Sequence, residues 1–432
     1  VSGSVFHRAT AARASRSRQL AALIAVVVVG TAAPAGAQQV AASGFTVMTA
    51  ATKVAVTNDR RAVAGGIYDA VANTTFISWA GSNVDNYVQS YNGTWSAPKR
   101  VGGGDGDPHN YPTIVQANDG HLLVFRGLHN VQLMESSSPQ PHSVAGTWND
   151  RQITQGPAAT YPMPVKADNG DIYVFYRQTD NALISGTPTD ERPMEYVRST
   201  TNGTTWTSSK TIAGAPYVIG STDRSDHMNE IYIGQIRHEE NPERFSIVWT
   251  LAGGGSGQHK HDAFHKNVYY AYFTPADQHF HNAAGQDLGT AIPGNAMAAC
   301  LVADTGKPVD KNPGYFQLTG TFGDGTPVVV YTMKDGNHAG HWTGTAWQTA
   351  KLGTGYVMDM EPVDGNTFRV YTRSGSTVTT YLLDKTPAWT PETSFTAPGA
   401  INHGVLITGY RDPARLLLEG TNGGGIYVAG GS

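Results

Sequence analysis

Cysteine is nearly absent: Cys300 stands alone in 432 residues. A single thiol excludes an intrachain disulfide framework, so stability must come from a large core. Charge is also scarce, at 15% of residues, and the 30 Lys and Arg are outnumbered by 34 Asp and Glu. Nucleic-acid binding demands basic patches, so that class is disfavoured. Long helical periodicity is missing beyond the first thirty residues. No later stretch approaches the roughly 20 apolar residues of a membrane span.

The N-terminal segment reads differently from the rest. Arg8, Arg13, Arg16 and Arg18 precede the apolar run 20–30, which contains Val26 through Val29 and is too short to span a bilayer. Ala35-Gly36-Ala37 follows, a small-x-small cleavage site. The pattern predicts a secretory signal peptide over residues 1–37, a mature domain over 38–432 and an extracellular protein that is not membrane-bound. Without the four arginines of that segment, 26 basic residues face 34 acidic ones, a net charge of −8. A polyanion would have to be held by local cations against this field.

What is plentiful is glycine and tyrosine, 50 and 20 residues. Asn92-Gly93, Asp119-Gly120, Asn169-Gly170, Asn202-Gly203, Asp335-Gly336, Asp364-Gly365 and Asn422-Gly423 punctuate the chain. Such pairs tolerate the positive φ of two-residue hairpin turns. Apolar runs flank them, as at Leu122 to Phe125, Ile172 to Phe175 and Val328 to Tyr331. An internal repeat is visible. Tyr111-Pro112 leads through Asp119-Gly120 to Phe125, and Tyr161-Pro162 leads through Asn169-Gly170 to Phe175. Trp95, Trp148, Trp206, Trp347 and Trp389 close many units. The stretch Arg198 to Trp206 resembles the S-x-D-x-G-x-x-W hairpin of sialidase-type propellers, without its aspartate. Repeats of this length predict an all-β fold, a seven-bladed β-propeller of four-stranded antiparallel blades. The units fall near 60–101, 107–155, 158–213, 226–288, 312–352 and 354–395, and 400–432 would combine with 45–57 to close the ring. A β-sandwich or a right-handed β-helix is the alternative.

Fifteen histidines are many, and two groups stand out. In the first, His109 lies in a loop before a strand and His129 follows the next strand. Tyr161 opens the equivalent strand of the following unit, and Arg177 ends that hairpin. These residue types suit β-elimination on a uronate. A cation holds the carboxylate and stabilises the enolate-like charge. A base removes the C5 proton, and an acid protonates the departing oxygen. Each residue taken singly has a plain structural reading: Tyr161 as interface filler, His129 as a satisfied loop histidine, Arg177 as a partner of Asp180 or Glu195.

Two histidines 20 apart, then a tyrosine and an arginine 16 apart, resemble the BNR-repeat propeller polysaccharide lyases. That group includes the ulvan lyases and the L-rhamnose-α-1,4-D-glucuronate lyases. The stretch Asn267 to Tyr272 is also similar to theirs. The resemblance covers most of residues 60–300. It implies that Tyr161 is general base and acid, that Arg177 neutralises the uronate, and that His109 and His129 assist neutralisation and orient the tyrosine. Asn110, Arg224, His227, Asn229 and Tyr232 lie in pre-strand loops that would contact the substrate.

The second group is His259, His261, Asp262, His265, His279, His281 and Cys300. His279 and His281 are two apart and share a face on a strand. Imidazoles with one thiolate make a plausible zinc set, with His265, His279, His281 and Cys300 as the expected ligands. The resemblance also implies one structural zinc. The expected partner is an acidic polysaccharide, cleaved at rhamnose–glucuronate linkages by a monomer without an organic cofactor. The competing functions are a sialidase-like glycoside hydrolase, which needs a carboxylate pair or a tyrosine nucleophile, and a non-catalytic carbohydrate-binding propeller.

Overall fold

Tight turns set the architecture. In the computed structural model, Gly93, Gly120, Gly170, Gly203, Gly336 and Gly423 all adopt positive φ. The structure describes residues 41–431 apart from 43, 128, 180–190, 221–223, 255–263, 306–308, 311–316 and 387. The expected signal segment 1–37 and the candidate ligands His259, His261 and Asp262 lie outside the described residues.

The turns connect antiparallel strands into units of four or more strands. The first holds Gly66–Asp69, Thr74–Ala80, Asn86–Tyr91 and Lys99–Gly102. The second holds Thr113–Gln116, Leu122–Gly127, Leu133–Ser137 and Asn149–Gln152. The third holds Ala159–Lys166, Ile172–Gln178, Met194–Ser199 and Thr207–Ser208. The fourth begins with Glu230–Glu239, Arg244–Gly253 and Phe264–Thr274, continues to His279–His281 and Asp287–Gly289, and adds Leu301–Ala303 and Val309–Asp310 alongside Phe264–Thr274. It therefore runs past residue 288, where the repeat pattern predicted its end. The fifth holds Gln317–Thr321, Pro327–Met333, Gly336–Trp342 and Trp347–Gly353. The sixth holds Tyr356–Asp364, Thr367–Ser374, Thr377–Asp384 and Trp389–Thr396, with Ala41–Ala42 added in parallel. The last holds Ile401–Arg411, Ala414–Gly420, Ile426–Gly431 and, from the other end of the chain, Phe45–Ala51. A single parallel pair, Ile67 with Thr408, joins this unit to the first. The fold is all-β and propeller-like. Among the described residues the one α-helix is Ser209–Ala213.

The middle strands are buried along their whole length, as in Thr74–Ala80, Ile172–Gln178 and Arg244–Gly253. Such strands carry continuous apolar runs because both faces pack on neighbours. Val115, Leu123 and Phe125 of the second unit meet Ile172, Val174 and Tyr176 of the third. Phe76 and Val88 of the first meet Ile114, Leu122 and Val124 of the second. The first strands of several units line a common cavity of about 610 Å³, with Val63, Val115, Val165, Ile236 and Leu406 on its wall.

The hairpin at Arg198–Trp206 keeps its turn without the usual aspartate. Ser199 Oγ accepts the Thr201 and Gly203 N–H groups at 3.2 and 2.9 Å, and Asn202 takes φ +53°. Trp206 Nε1 donates to Glu135 at 2.9 Å, tying this hairpin to the second unit.

The first and last units are tied by buried charge. Arg60 Nε and an Nη donate to Glu419 Oε1 at 3.1 and 2.9 Å, and both side chains are 1% exposed. Asn58 Nδ2 donates to the other Glu419 oxygen at 2.7 Å. Glu419→Ala strands the guanidinium in a dry site and is expected to lower stability by about 3–5 kcal/mol. Thermal denaturation checks this; an unchanged Tm would contradict it.

Candidate active site

The starts of the first strands gather at one end of the fold. Direct contacts link the loop at Asn58–Arg61, the loop at Asp107–Tyr111, Tyr161 and Tyr232. Tyr161 is aimed by a β-bulge: the register with the neighbouring strand shifts between Thr160 and Met163, and Tyr161 takes φ +59°. A left-handed conformation costs a residue with a Cβ roughly 1–2 kcal/mol. Strain of this kind collects at functional sites.

Arg177 sits on the neighbouring strand, paired with Thr160, and is fully buried. It does not pair with Glu195, which takes Lys210 and the Tyr176 hydroxyl instead; Asp180 lies outside the described residues. Its guanidinium carbon is 4.8 Å from the Tyr161 ring centre and 4.6 Å from that of Tyr232. A second guanidinium, Arg61, lies 4.2 Å from the Tyr161 ring centre. Burial works against the Arg177 charge, but Tyr232, Tyr161 and Glu230 hold its pKa above the ordinary value. Two cations thus flank one phenol.

One carboxylate holds the histidine pair. Asp107 Oδ1 accepts the His109 backbone N–H at 2.9 Å and faces His109 Nδ1 at 2.5 Å. The other Asp107 oxygen lies 3.4 Å from His129 Nδ1. The imidazoles stack with centres 4.1 Å apart, and His109 is 5.3 Å from the Tyr161 ring. His109 Nε2 points to Asp59 Oδ2 at 3.3 Å. Burial pushes His109 below its ordinary pKa against the pull of Asp107 and Asp59. Burial, then His109 and Arg177, pushes His129 down to about 4. Although burial opposes its charge, hydrogen bonds from His109 keep Asp107 below the usual carboxylate range.

These shifts have a sign in stability. His129 titrates near 6.5 when unfolded and about 4 when folded, and burial pushes His403 down to about 3. The unfolded chain binds more protons in the window between. Stability contributed by both groups is complete above pH 6.5 and is lost as pH falls toward 4 and 3. The expected Tm declines across that range, less steeply in His129→Asn. A Tm that rises on acidification would contradict this.

The predicted contact residues divide. Tyr232 is in the site, 6.2 Å from Tyr161 ring to ring. Arg224 is held by both oxygens of Asp226 at 2.8 and 2.7 Å, with Lys266 on the same carboxylate at 3.2 Å. His227 turns this loop at φ +55°. Asn110 and Asn229 are buried and brace their loops. Asn110 Nδ2 donates to the Gly103 carbonyl at 3.3 Å, and Asn229 Oδ1 accepts the Arg224 N–H at 3.1 Å.

The expected zinc set does not assemble. His279 and His281 pair with Thr274 and Tyr272, at the far end of the strand that His265 opens. Nine and seven residues of strand separate them from His265, roughly 30 and 23 Å. His279 instead bonds Asp287, and His281 stacks on Tyr272 with centres 5.0 Å apart. Cys300 lies in the apolar core, where burial raises its thiol to about 12. These four residues do not fit one ion. His265 belongs to the active-site cluster: it is fully buried, with its ring edge-on to Tyr232 at 5.0 Å.

Sequence reasoning missed Arg61 and Asp59. The signal was present: Asn58-Asp59-Arg60-Arg61 precedes the first unit as Asp107 to Tyr111 precedes the second.

Residues 62–354 match the profile described as "BNR repeat-containing family member". The chain belongs to this BNR repeat family. The lyase group that His109, His129, Tyr161 and Arg177 resemble is also the group its relatives come from. Curated relatives are an ulvan lyase of Pseudoalteromonas sp. (strain PLSV), named "Ulvan Lyase-PL25", and one of Alteromonas sp. (strain LOR). Each is 32% identical over 130 residues, covering 24% of this chain and 26% of the relative. The chain thus spans about a quarter of the length of these relatives. The BNR fold extends much further. A PL25 ulvan lyase structure, solved with -[GlcA(1-4)Rha3S]- bound, matches with a TM-score of 0.67 at 16% identity, over 88% of this chain and 95% of that one. The polysaccharide lyase Uly1 matches with a TM-score of 0.59 at 11% identity, over 87% and 91%.

Proposed function

We propose that this protein is an exported polysaccharide lyase that cleaves rhamnose–glucuronate linkages in an acidic polysaccharide by β-elimination. The observation that carries this reading is Tyr161, flanked by the Arg61 and Arg177 guanidinium groups and faced by the histidine pair on Asp107. Cations beside a phenol favour its ionised form. Arg177 receives the uronate carboxylate and stabilises the charge that develops on it. The arriving anion favours protonation of His109 and His129, so the pair shares that charge. Tyr161 takes the C5 proton, and the electron pair forms the C4–C5 double bond as the C4–oxygen bond breaks. The same hydroxyl returns a proton to the departing oxygen, which leaves a 4,5-unsaturated uronate.

The relatives named as ulvan lyases support the substrate class. We read the seven strand units as seven blades of one catalytic domain, with Phe45–Ala51 closing the last, and the chain as a monomer exported by residues 1–37. A hydrolase is the weaker reading, because the carboxylates at the site are already engaged, Asp59 and Asp107 by His109 and Glu230 by Arg192. Nuclear magnetic resonance of a digest of ulvan and gum arabic separates the two. Elimination gives the vinylic proton of an unsaturated uronate. New reducing ends without that signal would replace the lyase reading by hydrolysis, and intact polymer would leave a binding propeller.

A further inference from the structure

The constellation of the third unit has a partial counterpart in the sixth. Tyr161 lies at the start of a first strand, and Arg177 lies near the end of the next. Tyr356 opens the first strand of the sixth unit, and Arg373 pairs with it near the end of the second. The Arg373 guanidinium carbon lies 4.0 Å from the Tyr356 ring centre, against 4.8 Å for Arg177 and Tyr161. A histidine accompanies each tyrosine. His403 lies 5.9 Å from Tyr356 ring to ring, with its Nδ1 at 3.3 Å from the phenol oxygen, and His109 lies 5.3 Å from Tyr161.

The two constellations share an end of the fold and a loop. His403 Nε2 meets the Asn58 carbonyl at 2.5 Å, and the adjacent Asp59 meets His109. Arg373 donates from Nε to the Asn402 carbonyl at 2.8 Å and makes no ion pair among the described residues. Tyr356 and Arg373 are half-buried, so this cation is open to a ligand. Such a guanidinium favours an oxyanion with planar or forked geometry.

We propose that Arg373 and Tyr356, with His403 bracing the phenol, form a second anionic-sugar subsite that binds a carboxylate or sulfate ester of the same polysaccharide, away from the cleaved bond. The proposal rests on the lyase reading for the identity of that polymer. The subsite binds without reacting. His403 is committed to Asn58 and Tyr356, and among the described residues no carboxylate with a second stacked histidine stands beside it as Asp107 and His129 stand beside His109.

The test is Arg373→Gln in the full chain, assayed on ulvan and on chemically desulfated ulvan. KM on ulvan is expected to rise about tenfold, the effect of losing one charge-assisted contact, with kcat within about twofold. The rise should shrink at high salt, because a partly exposed ion contact is screened. A salt-independent defect with a lowered Tm would mean that Arg373 only braces Asn402, and would overturn the subsite. So would an unchanged KM on both polymers. A KM rise that persists on desulfated ulvan assigns the carboxylate; a rise confined to sulfated ulvan assigns the sulfate ester. If the wild-type chain forms no unsaturated product, the lyase reading fails separately. Electrophoresis through ulvan-containing gels then decides the subsite: weaker retardation of Arg373→Gln supports it, and equal retardation overturns it.

Discussion

Tyr161→Phe is expected to lose roughly 10²–10⁴-fold in turnover, the range for removing one general acid–base group. The upper end is expected because this hydroxyl serves both proton transfers. Affinity for the polymer should change little, since the ring stays between Arg61 and Arg177. Folding should survive, because phenylalanine fills the same buried volume and only the hydroxyl is lost. Steady-state rates with binding measured by gel retardation check both halves. A variant that turns over normally would remove Tyr161 from the chemistry. One that fails to bind would make it a contact residue instead.

Arg177→Met should separate activity from stability. The guanidinium is fully buried, and its surroundings are two aromatic rings and Glu230, which is itself 3.7 Å from Arg192. A buried cation kept for a ligand is costly to the empty protein. Methionine of similar length should therefore leave Tm unchanged or raise it. Turnover should fall by about 10²–10³-fold or more, because the enolate-like charge loses its main stabiliser. This is the trade expected where an active site holds charge that the fold does not need. A large drop in Tm would show that Arg177 is structural, and full activity would place the uronate elsewhere.

Much of this was legible in the residues. The Tyr-Pro openings and Asn-Gly turns mark hairpins by local chemistry, so the strand units emerge where the pattern places them. The spacings of His109, His129, Tyr161 and Arg177 follow from one strand-turn-strand period, and the fold brings these four together. The fourth unit was only half legible, because its later strands, Asp287–Gly289, Leu301–Ala303 and Val309–Asp310, are too short to carry an alternating pattern. Arg61 reaches Tyr161 only when the first and third units converge on one face, a contact between distant units that no local pattern reports. The zinc set failed for a related reason. His265 and His279 are close in sequence, but an eleven-residue strand carries them to opposite ends. Asn110 and Asn229 have the residue type of ligand contacts, and their bracing of the loops, through the Gly103 carbonyl and the Arg224 N–H, is not reported by residue type alone.

Ultraviolet absorbance of the conjugated unsaturated uronate, followed while the protein is mixed with ulvan or gum arabic, tests elimination most directly. The predicted result is a steady rise with the wild-type chain and a flat trace with Tyr161→Phe. A flat trace from folded wild-type protein while the polymer is shortened would contradict elimination, and a rise of equal rate in both chains would contradict the role of Tyr161.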